Sequence, residues 1–491
     1  MRAGVQSPAE TSTASLERPP RRGLVVRRLV IVAVLAFAGR SLYVLTVLQQ
    51  QEYPEFSAET VGPARSYDEI YYTGAARALA DGDGFRFSVG GPAQEQGIHP
   101  PMTSVALAPV AWLTDDELPM RLLVAAVGAL VVLLAGLVAL NVAGPRAAYI
   151  AAGLAVVYPN LWMNDGLLMS ESFAAAGTAA AIWCTYRLLA TWSWRWATGV
   201  GVACAVAMLS RSELALLVPA LVAPAVLLTR TAPPSQRILH AALACSVAGL
   251  VVAPWVLYNL QRFEEPVLLS HGDGNVLIGA NCDSTYHGTL LGFHDGTCGF
   301  IDNLPAELSE QASTRRRAAF DYIGDHLDRQ PAVITARVGR VWGLYGQLQM
   351  ARIARMEGRP LWASLAGLAM FWALAPLAVL GARTLRRSGR PLFPLVAPLL
   401  IATFNAAAFY GITRFRVPAE VPLVVMAAVG IGYLIGDRPG EEDRNADVAV
   451  RDDPPGSVVG NRERRRSIRT RFQVATSRRP GTLMTAFAQR G

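Results

Sequence analysis

The 491-residue chain contains no lysine, so all 45 of its basic residues are arginine. Any contact with an anion must therefore come from arginine, histidine or a backbone N–H group. Charged residues make up only 17% of the chain, against about 25% in typical soluble domains, while 52% of the residues are hydrophobic. This composition excludes an ordinary soluble protein and favours membrane-spanning helices.

The net charge of +8 does not indicate nucleic-acid binding. Residues 437–491 contain 12 arginines and 8 acidic residues, so half of the positive excess lies in this one segment. The segment is polar and shows no apolar period, and no base-stacking platform or groove-reading motif accompanies the charge. We expect a disordered cytoplasmic tail that contacts anionic lipid, and no nucleic-acid partner.

Apolar runs close to the length that crosses a bilayer recur along the chain. The first, Leu29–Leu48, is followed by no small-residue cleavage site, so we expect a retained helix and not a cleaved signal peptide. The fold class predicted is therefore an all-α polytopic membrane protein. Its ten predicted spans cover residues 29–48, 119–142, 145–163, 170–190, 196–210, 212–229, 238–260, 360–382, 391–411 and 417–436.

Arginines set the predicted topology, because cytoplasmic loops of membrane proteins carry an excess of basic residues. Arg21, Arg22, Arg27 and Arg28 place the N-terminal segment, residues 1–28, in the cytoplasm, and the arginines of several later loops then also fall inside. The segments left outside are residues 49–118 and 261–359, and residues 437–491 fall inside. We expect a multi-pass protein of the plasma (inner) membrane.

Cys282 and Cys298 both lie in the second outer segment. Because an outward loop meets an oxidising compartment, they are expected to form a disulfide. His287 and His294 lie between them, which leaves a Cys2His2 zinc site as an alternative. The spacing matches no familiar zinc module.

The stretch SYDEIYY, residues 66–72, begins a predicted helix in the first outer segment. Ser66 and Glu69 have the spacing of a capping box, and Asp68 would favour the helix dipole. On this interpretation both acids are structural. The alternative is that one or both carry chemistry, and the local pattern alone does not decide between them.

The wider pattern resembles the GT-C glycosyltransferases, in particular the protein O-mannosyltransferases and the lipid A aminoarabinose transferase. Typical of these families are many spans and a long outer loop that opens on an acidic pair. The loop continues with a helix of the form Ala-Arg-x-Leu-x-x-Gly and a basic residue before Pro-Pro. The matching segments here are Asp68-Glu69, ARALADG (76–82), HPP (99–101), LLMSES around Glu171, LSRSELALLVPAL around Arg211 and Glu213, and RFRVPAEVPL around Arg414 and Arg416. The sequence departs from the family pattern at Ser212, where proline is usual, and at His99.

The resemblance implies a GT-C fold with juxtamembrane helices in both outer segments. It also implies transfer of a sugar, hexose or pentose, from a polyprenyl-phosphate carrier to an extracytoplasmic hydroxyl on a protein, glycan or lipid. A direct displacement inverts the anomeric centre and needs one base. Adjacent residues on a helix differ by about 100° in direction, so we assign the base to Asp68 and a supporting role to Glu69.

The leaving phosphate needs cations, which we assign to His99, Arg414 and Arg416. The alternatives are a loop histidine and two arginines that anchor the chain at the interface. Five further residues are candidates for the cavity wall: Arg40, Tyr72, Glu171, Arg211 and Glu213. The four charged residues among them also have a structural interpretation as a cap, an ion pair or a snorkelling side chain.

Three points remain open in the sequence. Asp68, Glu69 and His99 leave a divalent metal ion open as a cofactor. A transporter or flippase of lipid-linked sugars is the alternative function, although no internal repeat favours it, and a catalytically degenerate assembly factor is a third.

Residues 315–348 alternate arginine with apolar residues and predict amphipathic helices on the outer membrane surface.

Overall fold

The computed structural model describes residues 22–49, 66–89 and 92–436, and almost all of its regular structure is helical. The segments expected to be cytoplasmic at the N-terminus and disordered at the C-terminus lie largely or wholly outside these residues. The first part of the chain contains α1 (Arg22–Tyr43), a π-helical turn (Val44–Leu48), α2 (Tyr67–Asp81), the hairpin β1 (Arg86–Phe87) and β2 (Gln94–Glu95), α3 (Met102–Leu113), α4 (Leu118–Val157) and α5 (Pro159–Trp162).

The remaining helices complete the predicted spans and the second outer segment. They are α6 (Glu171–Thr191), α7 (Trp194–Ser210), α8 (Leu217–Leu228), α9 (Pro234–Arg262), α10 (Asp273–Ala280), α11 (Asp283–Tyr286), α12 (Leu308–Asp325), α13 (Gln330–Val341), α14 (Gln347–Met356), α15 (Leu361–Arg387), α16 (Phe393–Ala408) and α17 (Val417–Leu434), with 3₁₀ turns at Ser212–Leu216, Gly288–Leu290, Gly296–Gly299 and Thr413–Arg416.

Helices occupy all ten predicted spans, with ends that differ from the prediction by a few residues. The helical segments that are long and apolar enough to cross a membrane, within the described residues, are Arg22–Leu48, Leu118–Val157, Pro234–Arg262, Leu361–Arg387 and Thr413–Leu434. The polytopic all-α fold class is therefore confirmed. That the shorter apolar helices also cross the membrane stays a prediction.

The second and third predicted spans meet at a kink inside α4. Gly144 has φ 86° and ψ −171°, a backbone conformation that glycine adopts at little cost. Pro145 follows and has no N–H to continue the helical hydrogen bonds. The sequence therefore breaks α4 at the point where the second span was expected to end and the third to begin.

α17, which is the last helix within the described residues, lies at the centre of the bundle. Its valines pack into one apolar cluster with α1, α4, α6 and α15. A Cβ atom at Gly430 would lie 2.1 Å from the carbonyl oxygen of Leu377, and one at Gly381 would lie 1.8 Å from that of Met426. Small residues thus let the backbones of α15 and α17 approach closely. This packing fixes the position of Thr413–Arg416, which leads directly into α17.

The second outer segment is a folded unit of short helices. In it α10 packs against α12, and Cys282 and Cys298 form a disulfide next to α11. Residues 315–348 lie in α12, α13 and the start of α14. Helices are therefore present where the amphipathic pattern predicted them, and their place on the membrane surface stays a prediction.

Candidate active site

The helix that carries the acidic pair, α2, begins at a serine cap. The Ser66 Oγ atom accepts a hydrogen bond from the Glu69 N–H at 3.2 Å, and Gly82 ends the helix with φ 88°. The second half of the predicted capping box is replaced by a tertiary contact. The Glu69 carboxylate accepts hydrogen bonds from Arg121 Nη1 at 3.1 Å and from the Leu168 N–H at 3.0 Å.

The two adjacent acids of α2 point to different surroundings, as the helical geometry requires. Glu69 is buried, and its partners on α4 and before α6 tie α2 to the bundle. Asp68 instead binds His99 Nε2 through Oδ1 at 3.2 Å and Arg414 Nη2 through Oδ2. The side chain of Asp68 is 16% exposed and that of His99 is 25% exposed. Asp68 is therefore the more exposed of the two acids, and Glu69 is held inside the bundle.

Arg414 lies at the centre of the site. Its Nε donates to Glu171 Oε1 at 2.8 Å and its Nη1 to Glu357 Oε1 at 2.7 Å, while Nη2 donates to Asp68. All three nitrogens of the guanidinium therefore bind carboxylates from three different parts of the chain. Pairing of this kind is needed to hold charges in a largely buried position.

Two further arginines surround Glu171, whose side chain is only 1% exposed. Arg211 and Arg359 each approach Glu171 Oε1 at 3.5 Å. Arg211 also binds Glu213 at 2.6 Å, and Arg359 binds Glu357 at 2.5 Å. We call the following residues the charged cluster: Asp68, His99, Glu171, Arg211, Glu213, Glu357, Arg359 and Arg414.

The charged cluster contains four carboxylates and three guanidinium groups. With a neutral histidine it carries one net negative charge. An anionic ligand would therefore have to replace a carboxylate on one of the arginines, a point that bears on the mechanism below.

Tyrosines of α2 hold the His99 ring against Asp68. The ring stacks on Tyr72 with 5.1 Å between centroids and meets the edge of Tyr71 at 5.0 Å. The Tyr71 hydroxyl donates to the backbone carbonyl of His99 at 3.3 Å. Tyr72, a predicted cavity residue, is almost fully buried and acts here as a support for the imidazole.

The second outer segment also positions His99, through the residues that precede it. The backbone N–H of Gly97 donates to the ring nitrogen Nε2 of His271 at 3.1 Å, and the backbone N–H of His271 donates to the Gly97 carbonyl at 2.9 Å. The Ser270 hydroxyl binds the carbonyl of Ile98 at 2.9 Å. Burial lowers the pKa of His271 to about 4, so at neutral pH its ring is uncharged and can accept the hydrogen bond from the Gly97 N–H.

Electrostatics determine the protonation state of Asp68. Burial alone would raise the pKa of this carboxyl, but the positive charge of Arg414 and the hydrogen-bonded His99 outweigh burial and hold the pKa well below its usual range. Asp68 is therefore ionised at neutral pH. While Arg414 remains bound to it, Asp68 is a weak base.

Arg416 and Arg40 lie outside the charged cluster. Arg416 is buried, binds Glu420 at 2.6 Å and packs 3.8 Å from the ring centroid of Phe371. Arg40 is buried against Asp165, with which it forms an ion pair. The structure thus gives both arginines structural partners and does not bring them to Asp68.

The cysteine and histidine pattern of the second outer segment is settled by the disulfide. Because Cys282 and Cys298 are bonded to each other, neither offers a free thiolate for zinc. His287 pairs with Asp283, and His294 lies 3.4 Å from the Asn275 carbonyl. Within residues 22–49, 66–89 and 92–436, no three His, Cys, Asp or Glu side chains are grouped to bind a metal ion.

Glu357 and Arg359 were not among the residues predicted from the sequence. They follow α14 and precede Pro360, and no family motif marked them. The available signal was their position, because two charged residues stand directly before a predicted span. Asn164, which accepts a hydrogen bond from Arg359 Nε at 2.9 Å, was also not predicted, because no family motif marked it.

An apolar groove with a volume of about 920 Å³ runs along α13 and is separate from the charged cluster. Its walls include Leu291, Ile334 and Tyr345. None of the residues that line it belongs to the cluster, so the groove by itself indicates no catalytic role.

Comparison with known proteins supports the sequence resemblance. Residues 98–258 match the model of the dolichyl-phosphate-mannose-protein mannosyltransferase family. The match begins one residue before His99 and includes Glu171, Arg211 and Glu213 of the charged cluster. No curated protein sequence matches the chain.

Among solved structures, the chain is similar to the oligosaccharyltransferase AglB from Archaeoglobus fulgidus in complex with an inhibitory peptide and a dolichol-phosphate. The identity is 16%, the TM-score is 0.50, and the match covers 91% of this chain and 54% of that one. The apo form of that enzyme gives 15% identity, a TM-score of 0.50 and coverages of 88% and 52%. The chain therefore spans about half the length of the oligosaccharyltransferase.

ArnT from Cupriavidus metallidurans bound to undecaprenyl phosphate is also matched, with 17% identity, coverages of 86% and 81%, and a TM-score of 0.38. Its lower TM-score adds nothing to the fold assignment. The family match and the AglB fold together confirm the resemblance expected from the sequence. The chain is a multi-pass membrane protein with the GT-C fold, and its residues 98–258 match the dolichyl-phosphate-mannose-protein mannosyltransferase family.

Proposed function

We propose that the protein is a membrane glycosyltransferase that moves a sugar from a polyprenyl-phosphate carrier to a hydroxyl group on the outer side of the membrane. The observation that carries this proposal is the position of Asp68. It is an ionised, partly exposed carboxylate held between His99 and Arg414. A base beside two groups that can bind a phosphate is the minimum that such a transfer needs.

The reaction balances with these groups. Asp68 accepts the proton of the acceptor hydroxyl as the acceptor oxygen forms a bond to the anomeric carbon of the sugar. The bond between that carbon and the phosphate oxygen breaks, and its electron pair leaves with the carrier phosphate. Attack and departure occur on opposite faces, so the anomeric configuration inverts.

Three residues have distinct roles in this proposal. Arg414 and His99 stabilise the charge that develops on the departing phosphate. Glu69 keeps α2 in place through Arg121 and the Leu168 N–H. This division agrees with one catalytic acid and one supporting acid in the pair. A divalent metal ion is left open as a cofactor.

The outer side of the plasma membrane is the proposed location of the site. A polyprenyl-phosphate donor suits that side because nucleotide sugars are not available there. The Cys282–Cys298 disulfide supports an oxidising surrounding for the second outer segment. The proteins named above bind dolichol-phosphate or undecaprenyl phosphate, and by analogy a carrier of that chemistry is proposed here. The sugar is a hexose or pentose, and the acceptor a protein, glycan or lipid.

A transfer assay with purified protein tests the proposal. Radiolabelled polyprenyl-phosphate sugars are offered with a membrane extract as the acceptor source, and wild type is compared with Asp68→Asn. Asp83→Asn is a matched control, since Asp83 is an exposed acid just after α2. We expect transfer by wild type and by Asp83→Asn, and a loss of at least about a hundredfold in Asp68→Asn.

Two results would count against the proposal. Equal transfer by all three proteins would make Asp68 structural and refute its role as the base, although the protein would still be a glycosyltransferase. Absence of transfer by every protein, together with movement of labelled lipid across wild-type vesicles, would favour the transporter alternative.

A further inference from the structure

We propose that Arg414 exchanges partners when the donor binds: the donor phosphate takes the two terminal nitrogens of Arg414 from Asp68 and Glu357, and Asp68 is thereby released to act as the base. This inference rests on the proposed function. It assigns a positioning role to Glu357, which neither the sequence motifs nor the family match singles out.

The geometry of the guanidinium group is the basis of the proposal. Nη1 binds Glu357 Oε1 at 2.7 Å and Nη2 binds Asp68 Oδ2, while Nε binds Glu171. The two terminal nitrogens form a fork that matches two oxygens of one phosphate. In the structure, one oxygen from each of two carboxylates occupies this fork. A phosphate can enter it only by displacing both acids.

Each displaced acid retains another cationic or hydrogen-bonding partner. Asp68 keeps His99 at 3.2 Å through its other oxygen, and Glu357 keeps Arg359 at 2.5 Å through Oε2. Glu171 remains on Nε and keeps Arg414 oriented. The exchange therefore leaves no carboxylate of the three without a partner, so it avoids the cost of an unpaired buried charge.

The exchange links donor binding to the base. Before the donor arrives, both oxygens of Asp68 are bound, one by His99 and one by Arg414. After the exchange, Oδ2 is free to accept the proton of an acceptor hydroxyl.

The test measures binding without requiring catalysis. Farnesyl phosphate, an isoprenoid monophosphate, is titrated into detergent-solubilised full-length protein by calorimetry, with farnesol as the phosphate-free control. The variants are Glu357→Gln, Arg414→Gln and the double variant. Glu95→Gln is the matched control, because Glu95 also binds an arginine, Arg262, at 3.1 Å in the first outer segment.

We expect Glu357→Gln to bind farnesyl phosphate about tenfold more tightly than wild type, which corresponds to about 1.4 kcal/mol. Glu95→Gln should bind it with unchanged affinity, and farnesol binding should be the same in all proteins. The gain should disappear when Glu357→Gln is added to Arg414→Gln, because the competition takes place on Arg414.

Three outcomes would overturn the exchange. They are unchanged or weaker binding by Glu357→Gln, an equal gain in Glu95→Gln, which would indicate net charge alone, and a gain that persists without Arg414. If the expected binding pattern appears but no protein transfers sugar, the exchange holds and the proposed reaction fails. If transfer is observed without the binding pattern, the reaction holds and the exchange is refuted.

Discussion

The different roles proposed for Asp68 and Glu69 predict different effects of substituting each residue, because the two residues are adjacent acids with different contacts. Glu69→Gln removes the charge that faces Arg121 and weakens the contact with the Leu168 N–H, at 3.1 and 3.0 Å. Hydrogen bonds to charged groups contribute about 1.5–3 kcal/mol. Arg121 keeps the Gly166 carbonyl at 3.0 Å, so we expect a loss near 2 kcal/mol.

Asp68→Asn should differ from Glu69→Gln in activity. Arg414 keeps Glu171 and Glu357 in this variant, and the charged cluster loses one acid from a set with more carboxylates than guanidinium groups. The lowered pKa of Asp68 means that its charge stabilises the folded protein. We therefore expect a loss of about 2 kcal/mol and a transfer rate lower by about a thousandfold, the range of a lost general base.

Two measurements on the same protein preparations check this pair. Thermal unfolding in detergent, followed by tryptophan fluorescence, should show a midpoint lower by about 4 °C for each of the two variants. Transfer, measured well below both midpoints, should be within about tenfold of wild type for Glu69→Gln. If Glu69→Gln is as stable as wild type but as inactive as Asp68→Asn, the division of roles is refuted.

The remaining predictions concern pH, a buried pair and a loop contact. The folded-state pKa of Asp68 is lowered, so the stability that its charge contributes is present above the unfolded pKa of about 3.9. This stability is lost as the pH falls through the folded-state pKa. The difference in unfolding free energy between wild type and Asp68→Asn, measured by denaturation, should therefore be constant from about pH 5 to 8 and change only in stronger acid. Arg40→Met leaves Asp165 buried without its cation and should lower the free energy of unfolding by about 3–5 kcal/mol. The double variant with Asp165→Asn should recover most of this loss. Equal unfolding free energies for the single and double variants would contradict the prediction. His271→Ala leaves the Gly97 N–H without its acceptor, so it should lower the unfolding free energy by about 1–3 kcal/mol and reduce sugar transfer. His271→Gln should partly restore both the stability and the transfer rate. Wild-type values for His271→Ala would show that this contact does not position the loop.

The helical spans were predictable from the sequence because their signal is local. Apolar runs of bilayer length and arginines at their ends lie within single segments of the chain, and even the break in α4 has a local cause in Gly144 and Pro145. The start of α2 was also predictable, since the Ser66 cap acts over three residues. Its expected reciprocal bond was wrong, because Arg121, 52 positions away, offers Glu69 a stronger charged partner.

The charged cluster was only partly predictable, because its contacts are long-range. The motifs indicated Asp68, His99 and Arg414 as candidates, but the sequence contains no signal for which acid each arginine binds. Arg414 and Arg416 are equivalent in the motif, yet only Arg414 reaches Asp68, since Arg416 directly precedes α17 and binds Glu420 one helical turn later. Glu357 follows no periodic pattern, so only the tertiary fold reveals its role.

The wide separation of the cluster along the chain has a consequence for biogenesis. Arg414 lies 346 positions after Asp68 and 243 positions after Glu171, so it leaves the ribosome when almost all the other helices have already been made. Until Arg414 is made, Asp68 lacks the arginine that binds it and Glu171 lacks one of its three, and buried charges without a partner are costly. Synthesis of this segment is thus the step that brings the charged cluster from two net negative charges to one. A chain truncated before residue 413 should reach the membrane with an incomplete, quality-control-sensitive core, even though every predicted carboxylate of the site is already present.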